Sequence, residues 1–83
     1  MPTRQKAALD KTKTEKSFLK KVGRTIAALA IQRGISIERL AYEGGVSKGY
    51  LYAIVQGAGN PSLVITYRIA QALEVNILEI LSE

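Results

Sequence analysis

Residues 36–57, SIERLAYEGGVSKGYLYAIVQG, read as two short helices joined by a tight turn, and the rest of the chain is patterned to brace them. Ser36 is placed to cap the first helix, its hydroxyl accepting from an early helical N–H, and Glu38 sets an acid at the positive end of the helix dipole. Leu40 and Ala41 supply the buried side. Gly44-Gly45 end this helix by allowing the positive φ of a C-terminal cap. Val46 then packs inward and Ser47 caps the second helix. Leu51, Ile54 and Val55 share one face of it at spacings of three and four until Gly57 stops it. Its opposite face carries Lys48, Gly49, Tyr52, Ala53 and Gln56.

Outward from this pair, Phe18, Leu19, Val22, Ile26, Leu29 and Ala30 follow helical spacing up to Gly34, predicting a first helix that starts at Thr14 or Ser17. Residues 1–13 are polar, rich in Lys and Thr and poor in large apolar side chains, and are expected to form a flexible basic arm ahead of a domain of residues 14–83. On the C-terminal side, Pro61 biases Asn60 towards extended backbone and prevents the second helix of the pair from continuing. A fourth helix is predicted from about Ser62 to Glu74, with Leu63, Tyr67, Ile69, Ala70 and Leu73 available for burial. Asn76 can cap a last short helix over Ile77 to Leu81. Five helices with short links make an all-α domain.

Eighty-three residues suffice for one domain with a small core. The sequence has no cysteine and no histidine, so disulfides, thiolate metal sites and the commonest general base are unavailable, and its seven carboxylates show no paired pattern. No enzymatic activity, metal or cofactor is expected. No apolar run approaches the roughly 18 residues of a membrane span, so a cytoplasmic location is the default. The net charge of +5 is uneven. Residues 1–24 hold eight Lys/Arg (Arg4, Lys6, Lys11, Lys13, Lys16, Lys20, Lys21, Arg24) against Asp10 and Glu15, a balance of +6, leaving −1 for the remainder. An arm of this kind either tracks a phosphate backbone or is a solvated tail.

Gly23, Ile26, Gly34, Ser36, Leu40-Ala41, Val46-Ser47, Tyr50-Leu51, Ile54, Gly57, Asn60-Pro61-Ser62-Leu63 and Ile69-Ala70, taken in register, resemble the helix-turn-helix of the Cro and phage-repressor class of DNA-binding domains. The resemblance covers roughly Val22 to Leu81. It implies a five-helix phage-repressor-like domain whose helices 2 and 3 form the helix-turn-helix, with helix 3 in the major groove of double-stranded DNA. Carried onto matching positions, the base-facing candidates are Lys48, which can donate to guanine O6 and N7, Tyr52 and Ala53, which can meet a thymine methyl, and Gly49, which permits close approach or reads nothing. Without DNA, Lys48 is an ordinary solvated lysine and Tyr52 a ring lying on its own helix. Helix starts and the loop after helix 3 nominate Ser36, Ser47, Gln56, Asn60 and Arg24 for phosphate.

The chain departs from the family pattern in informative places. Ile37 stands where a glutamine is frequent, which weakens the DNA reading. Ala30 and Val55 replace a frequent arginine–glutamate pair, a double change that leaves no stranded charge. Val64, Ile65 and Leu78 replace polar residues, and with Ile77, Ile80 and Leu81 they exceed what one small core needs. A second copy of the chain is the economical cover, and a two-fold dimer would suit a palindromic operator. The expected function is therefore a sequence-specific, homodimeric transcriptional repressor. The alternative is a protein-interaction module, such as an antitoxin or adaptor, that uses the apolar surface of helices 4 and 5 on a protein partner.

Overall fold

The computed structural model describes the backbone of residues 2–82 and the side chains of residues 13–82. Five helices follow one another: α1 (Pro2–Arg33), α2 (Ile37–Gly44), α3 (Lys48–Val55), α4 (Leu63–Leu73) and α5 (Ile77–Leu81). Among the described residues there is no strand. The all-α, five-helix architecture is the one the periodicity predicts.

The local chemistry of the caps fixes the element boundaries. Ser36, Ser47 and Ser62 hold extended backbone, and each accepts from the N–H three residues on, Arg39, Tyr50 and Ile65, at 3.1, 3.2 and 3.1 Å. Asn76 Oδ1 accepts from Leu78 N–H at 2.8 Å while the Glu79 carboxylate accepts from Asn76 N–H at 3.2 Å, reciprocal capping that lets a five-residue α5 form. Of the Gly44-Gly45 pair, only Gly45 takes positive φ, at 68°. Gly44 is the buried last residue of α2.

Helix α1 corrects one expectation. It begins at Pro2, well before Thr14 or Ser17. Proline is favoured at the first helical position, and the following stretch is rich in Ala, Leu, Lys, Arg and Gln, all good helix formers, with no glycine or second proline to stop it. Apolar spacing marks only the packed part of a helix; here propensity extends it. The side chains of the arm up to residue 12 lie outside the described residues.

The core gathers Val22, Ile26 and Ala30 from α1, Leu40 and Ala41 from α2, Leu51 and Ile54 from α3, Ile69, Ala70 and Leu73 from α4, and Ile80 from α5. Full burial of an isoleucine or leucine contributes roughly 1.5–3 kcal/mol, so seven such side chains carry most of the apolar stabilisation. Ala30 is buried and Val55 half-buried against this core, so apolar contact occupies the place of the charge pair frequent in the phage-repressor class. On α4 the inward face is Thr66, Ile69, Ala70 and Leu73, with Thr66 Oγ1 donating to the Ser62 carbonyl at 2.9 Å. Leu63 and Tyr67, expected inside, are 69% and 51% exposed.

Close approach of α1 to α3 orients the helix pair. A Cβ on Gly23 would stand 2.3 Å from the Ile54 carbonyl oxygen and 2.5 Å from that of Val55. A Cβ on Gly57, at φ 81°, would meet Lys20 Cγ at 2.6 Å. The two glycines let the C-terminal end of α3 lie directly on α1, which faces its first turn outward.

Candidate nucleic-acid interface

On α3, Leu51 and Ile54 point into the core, which leaves Lys48 and Gly49 exposed and Tyr52 and Ala53 half-exposed on the outer side. The four base-facing candidates thus share one surface over the first two turns of the helix. Tyr50, next to the buried Leu51, is 37% exposed, and its hydroxyl donates to the Asn60 carbonyl at 3.3 Å. That bond, with Gly59 N–H donating to the Ala53 carbonyl at 3.0 Å, folds the loop of residues 56–62 back onto α3.

The phosphate candidates distribute around this surface. Ser36 and Ser47 are exposed, but their hydroxyls are engaged as caps. Gln56 and Asn60 are exposed on the loop after α3. Arg24 is exposed on α1, next in sequence to the Gly23 contact with the end of α3. Lys20, which sequence reasoning does not single out, is exposed and rests against Gly57 at the same end of α3. This approach joins backbone segments far apart in sequence, so no local pattern announces it.

Glu38 is a second residue that sequence reasoning misses. Read from sequence as a dipole-complementing acid on α2, it sits against the outer face of α3. Its Oε2 accepts from Tyr52 Oη at 3.0 Å and lies 3.7 Å from Lys48 Nζ. Its carboxyl is held below the ordinary glutamate value, first by hydrogen bonding with its own backbone, then by the Tyr52 hydroxyl, with the Lys48 charge adding to both. The Tyr52 phenol is pushed up, chiefly because its proton is shared with that carboxylate. One acid therefore holds two of the four base-facing candidates in place. Arg39 is likewise occupied, pairing with Glu43 at 2.7 Å, and Arg33 donates to the Glu74 carbonyl at 3.1 Å. Lys48, its charge countered by Glu38, is the sole base on α3. Lys20, against Gly57, and Arg24, next in sequence to Gly23, set positive charge of α1 at the end of α3.

The dimer candidates separate into two groups. Val64, Ile77 and Leu81 line an apolar groove of about 380 Å³ together with Leu63 and Tyr67, with no polar surface in its lining. Leu78 is exposed but outside that groove, and Ile65 packs inward against the core. Leu63 and Tyr67 join the groove because the α4 face they occupy is the one opposite Ile69 and Ala70.

Among the described residues no group of three His, Cys, Asp or Glu could hold a metal, and no helix is long and apolar enough to cross a membrane.

Comparison with known proteins agrees with this geometry. Residues 26–80 match the model of the family HTH_3, helix-turn-helix. The chain is 40% identical over 60 residues to the HTH-type transcriptional regulator SlrR of Bacillus subtilis strain 168, a match spanning 71% of this chain and 40% of SlrR. It is 33% identical over 63 residues to the uncharacterized HTH-type transcriptional regulator y4dJ of Sinorhizobium fredii, covering 76% of this chain and 82% of y4dJ. The crystal structure of the restriction-modification controller protein C.AhdI from Aeromonas hydrophila superposes with a TM-score of 0.73 at 32% identity, over 75% of this chain and 94% of C.AhdI.

Proposed function

The chain belongs to the helix-turn-helix family HTH_3, a DNA-binding regulator of that type and not an enzyme, and from that premise we propose that it is a cytoplasmic, homodimeric repressor that lays α3 in the major groove of a palindromic operator. The observation that carries the reading is the outer face of α3, where Lys48, Gly49, Tyr52 and Ala53 stand clear of the core on a helix whose start is capped by Ser47. Lys48 supplies a donor for guanine, Ala53 and the Tyr52 ring supply apolar contact for thymine methyls, and Gly49 leaves room for the groove wall. Ser36, Ser47, Gln56, Asn60 and Arg24 take phosphates around it, with Lys20 beside them. The basic residues 1–24 add sequence-independent attraction.

The groove of Leu63, Val64, Tyr67, Ile77 and Leu81 supports the two-fold partner, and Leu78 is exposed on the same short helix as Ile77 and Leu81. Two copies joined there would set their reading helices about 34 Å apart, one turn of DNA. The same groove favours the second reading, a protein partner in place of a second copy. Salt separates them, because phosphate binding falls steeply with ionic strength and an apolar contact does not.

Selection from random double-stranded DNA at near-physiological salt tests the proposal. The expected result is an enriched inverted repeat with half-sites about one turn apart. A folded protein that enriches no sequence would overturn it in favour of the protein partner.

A further inference from the structure

We propose that Glu38 and Lys48 together read a single G·C base pair of the operator, Lys48 donating to guanine and Glu38 accepting from the cytosine amino group. This rests on the placement of α3 in the major groove and adds a residue of α2 to the reading surface.

The pair presents a donor and an acceptor side by side, Nζ and Oε2 separated by 3.7 Å. On the groove edge of a G·C pair, guanine offers two adjacent acceptors, N7 and O6, followed by the cytosine N4 donor; an A·T pair alternates acceptor, donor and acceptor. Guanine O6 and cytosine N4 are hydrogen-bonded to each other, about 2.9 Å apart, so a lysine and a carboxylate in van der Waals proximity span both. A cation facing two neighbouring acceptors and an anion facing the donor beside them fit G·C better than any other pair.

An acid on a surface that meets phosphates needs a partner of its own. When Lys48 turns to guanine, the Glu38 carboxylate loses its cation, and an unpaired anion would then be carried into the field of the DNA. The cytosine amino group replaces that lost partner. Tyr52 keeps the carboxylate where it is during the exchange, donating to the same Oε2. The carboxyl stays an acceptor throughout, because the hydrogen bonds around it favour its ionised form.

The test uses the full chain in selections from random duplexes, followed by affinity measurements on the duplex that the unaltered protein selects. The unaltered protein is expected to require G·C at one position of each half-site. Glu38→Ala should lose about tenfold of that preference while the other positions hold, and Glu38→Gln, which keeps an acceptor oxygen, should lose less. Placing N4-methylcytosine at that position should weaken the unaltered protein by a similar factor and weaken Glu38→Ala no further. An unchanged motif in Glu38→Ala, with affinity raised for every sequence, would overturn the inference and leave Glu38 a counter-charge. Equal sensitivity of both proteins to N4-methylation would overturn it too. If the unaltered protein enriched no sequence, the DNA reading itself would fall first.

Discussion

Glu38 on α2 and Tyr52 on α3 share a hydrogen bond of 3.0 Å between Oε2 and Oη, joining the start of one helix to the middle of the next. The bond lowers the carboxyl and raises the phenol, so the two titrations bracket one intact state. The depressed glutamate contributes stability that is complete above its unfolded value of about 4.5 and is lost as pH falls through the lower folded value. The elevated tyrosine contributes stability that is complete below its unfolded value of about 10 and is lost as pH rises through the higher folded value. In Tyr52→Phe the Glu38 carboxyl should titrate closer to 4.5, though short of it because its backbone hydrogen bond and Lys48 remain. Carbon-detected NMR titration of the side-chain carboxyl reads this directly; an unmoved titration would mean the bond does not persist in solution.

Gly23 and Gly49 are both helical, so replacement of either by alanine gains the same propensity, roughly 0.5–1 kcal/mol. Their surroundings decide opposite outcomes. The added methyl at Gly23 would collide with two backbone carbonyls of α3, at 2.3 and 2.5 Å, and neither can turn aside as a side chain would. Gly49 has nothing within 4 Å. Gly23→Ala should therefore lose about 1–3 kcal/mol as α1 and α3 are forced apart. Gly49→Ala should melt a few degrees higher than the unaltered protein. Thermal unfolding followed by circular dichroism distinguishes the two.

The fold was legible because its punctuation is local. Ser36, Ser47, Ser62 and Asn76 announce helix starts, and Gly34, Gly45 and Gly57 their ends, all within a few residues of the bonds they make. The reading face was legible for the same reason, since assigning Leu51 and Ile54 to the core turns Lys48 and Tyr52 outward. What escaped depends on neighbours distant in sequence. Glu38 meets Tyr52 fourteen residues away, and Lys20 meets Gly57 through an interhelical approach. Hydrophobicity alone assigns Leu63 and Tyr67 to the core, yet the buried Thr66 shows that α4 is turned by the packing of Ile69, Ala70 and Leu73. The start of α1 escaped because propensity without packing leaves no apolar period to read.

Glu74 ends α4 at φ 59°, the one non-glycine residue at positive φ among those described. Its N–H donates to the Ala70 and Gln71 carbonyls, and its own carbonyl accepts from Arg33 Nη2 at 3.1 Å. All three bonds belong to its backbone and survive replacement of the side chain. A left-handed residue with a Cβ costs roughly 1–2 kcal/mol, of which the greater unfolded entropy of glycine returns about 0.4–1. Glu74→Gly should therefore gain up to about 1.6 kcal/mol, the largest difference of those terms, and raise the melting temperature by several degrees. A lower melting temperature would show that the Glu74 side chain itself stabilises the end of α4.

Val64 is 59% exposed and lines the apolar groove with Leu63, Tyr67, Ile77 and Leu81. A charge at an exposed position leaves the monomer's core intact, but buried across a two-fold interface it would stand close to its own copy. Val64→Lys should accordingly keep the melting temperature of the isolated domain and convert a dimer at tens of micromolar into a monomer by sedimentation equilibrium. It should still bind a single half-site and lose the cooperative gain on an inverted repeat. An unaltered protein that sediments as a monomer would remove the dimer outright.

Residues 1–13 carry Arg4, Lys6, Lys11 and Lys13 against Asp10, a balance of +3, whereas the base on α3 is countered by Glu38. If these residues follow phosphates, deleting them removes counterion release and leaves base reading untouched. Log affinity should then depend less steeply on log salt, by about 0.9 for each phosphate no longer neutralised, which for four bases is at most about 3.6. The loss should be the same on operator and on random duplex, so that the ratio of the two affinities is unchanged at any one salt concentration. Lys48→Ala makes the opposite contrast: that ratio collapses while the slope shifts by no more than about one phosphate's share. Titrations of both duplexes at several salt concentrations resolve the two behaviours. A slope unaltered by the deletion would make residues 1–13 irrelevant to DNA and leave Lys16, Lys20, Lys21 and Arg24 as its electrostatic grip.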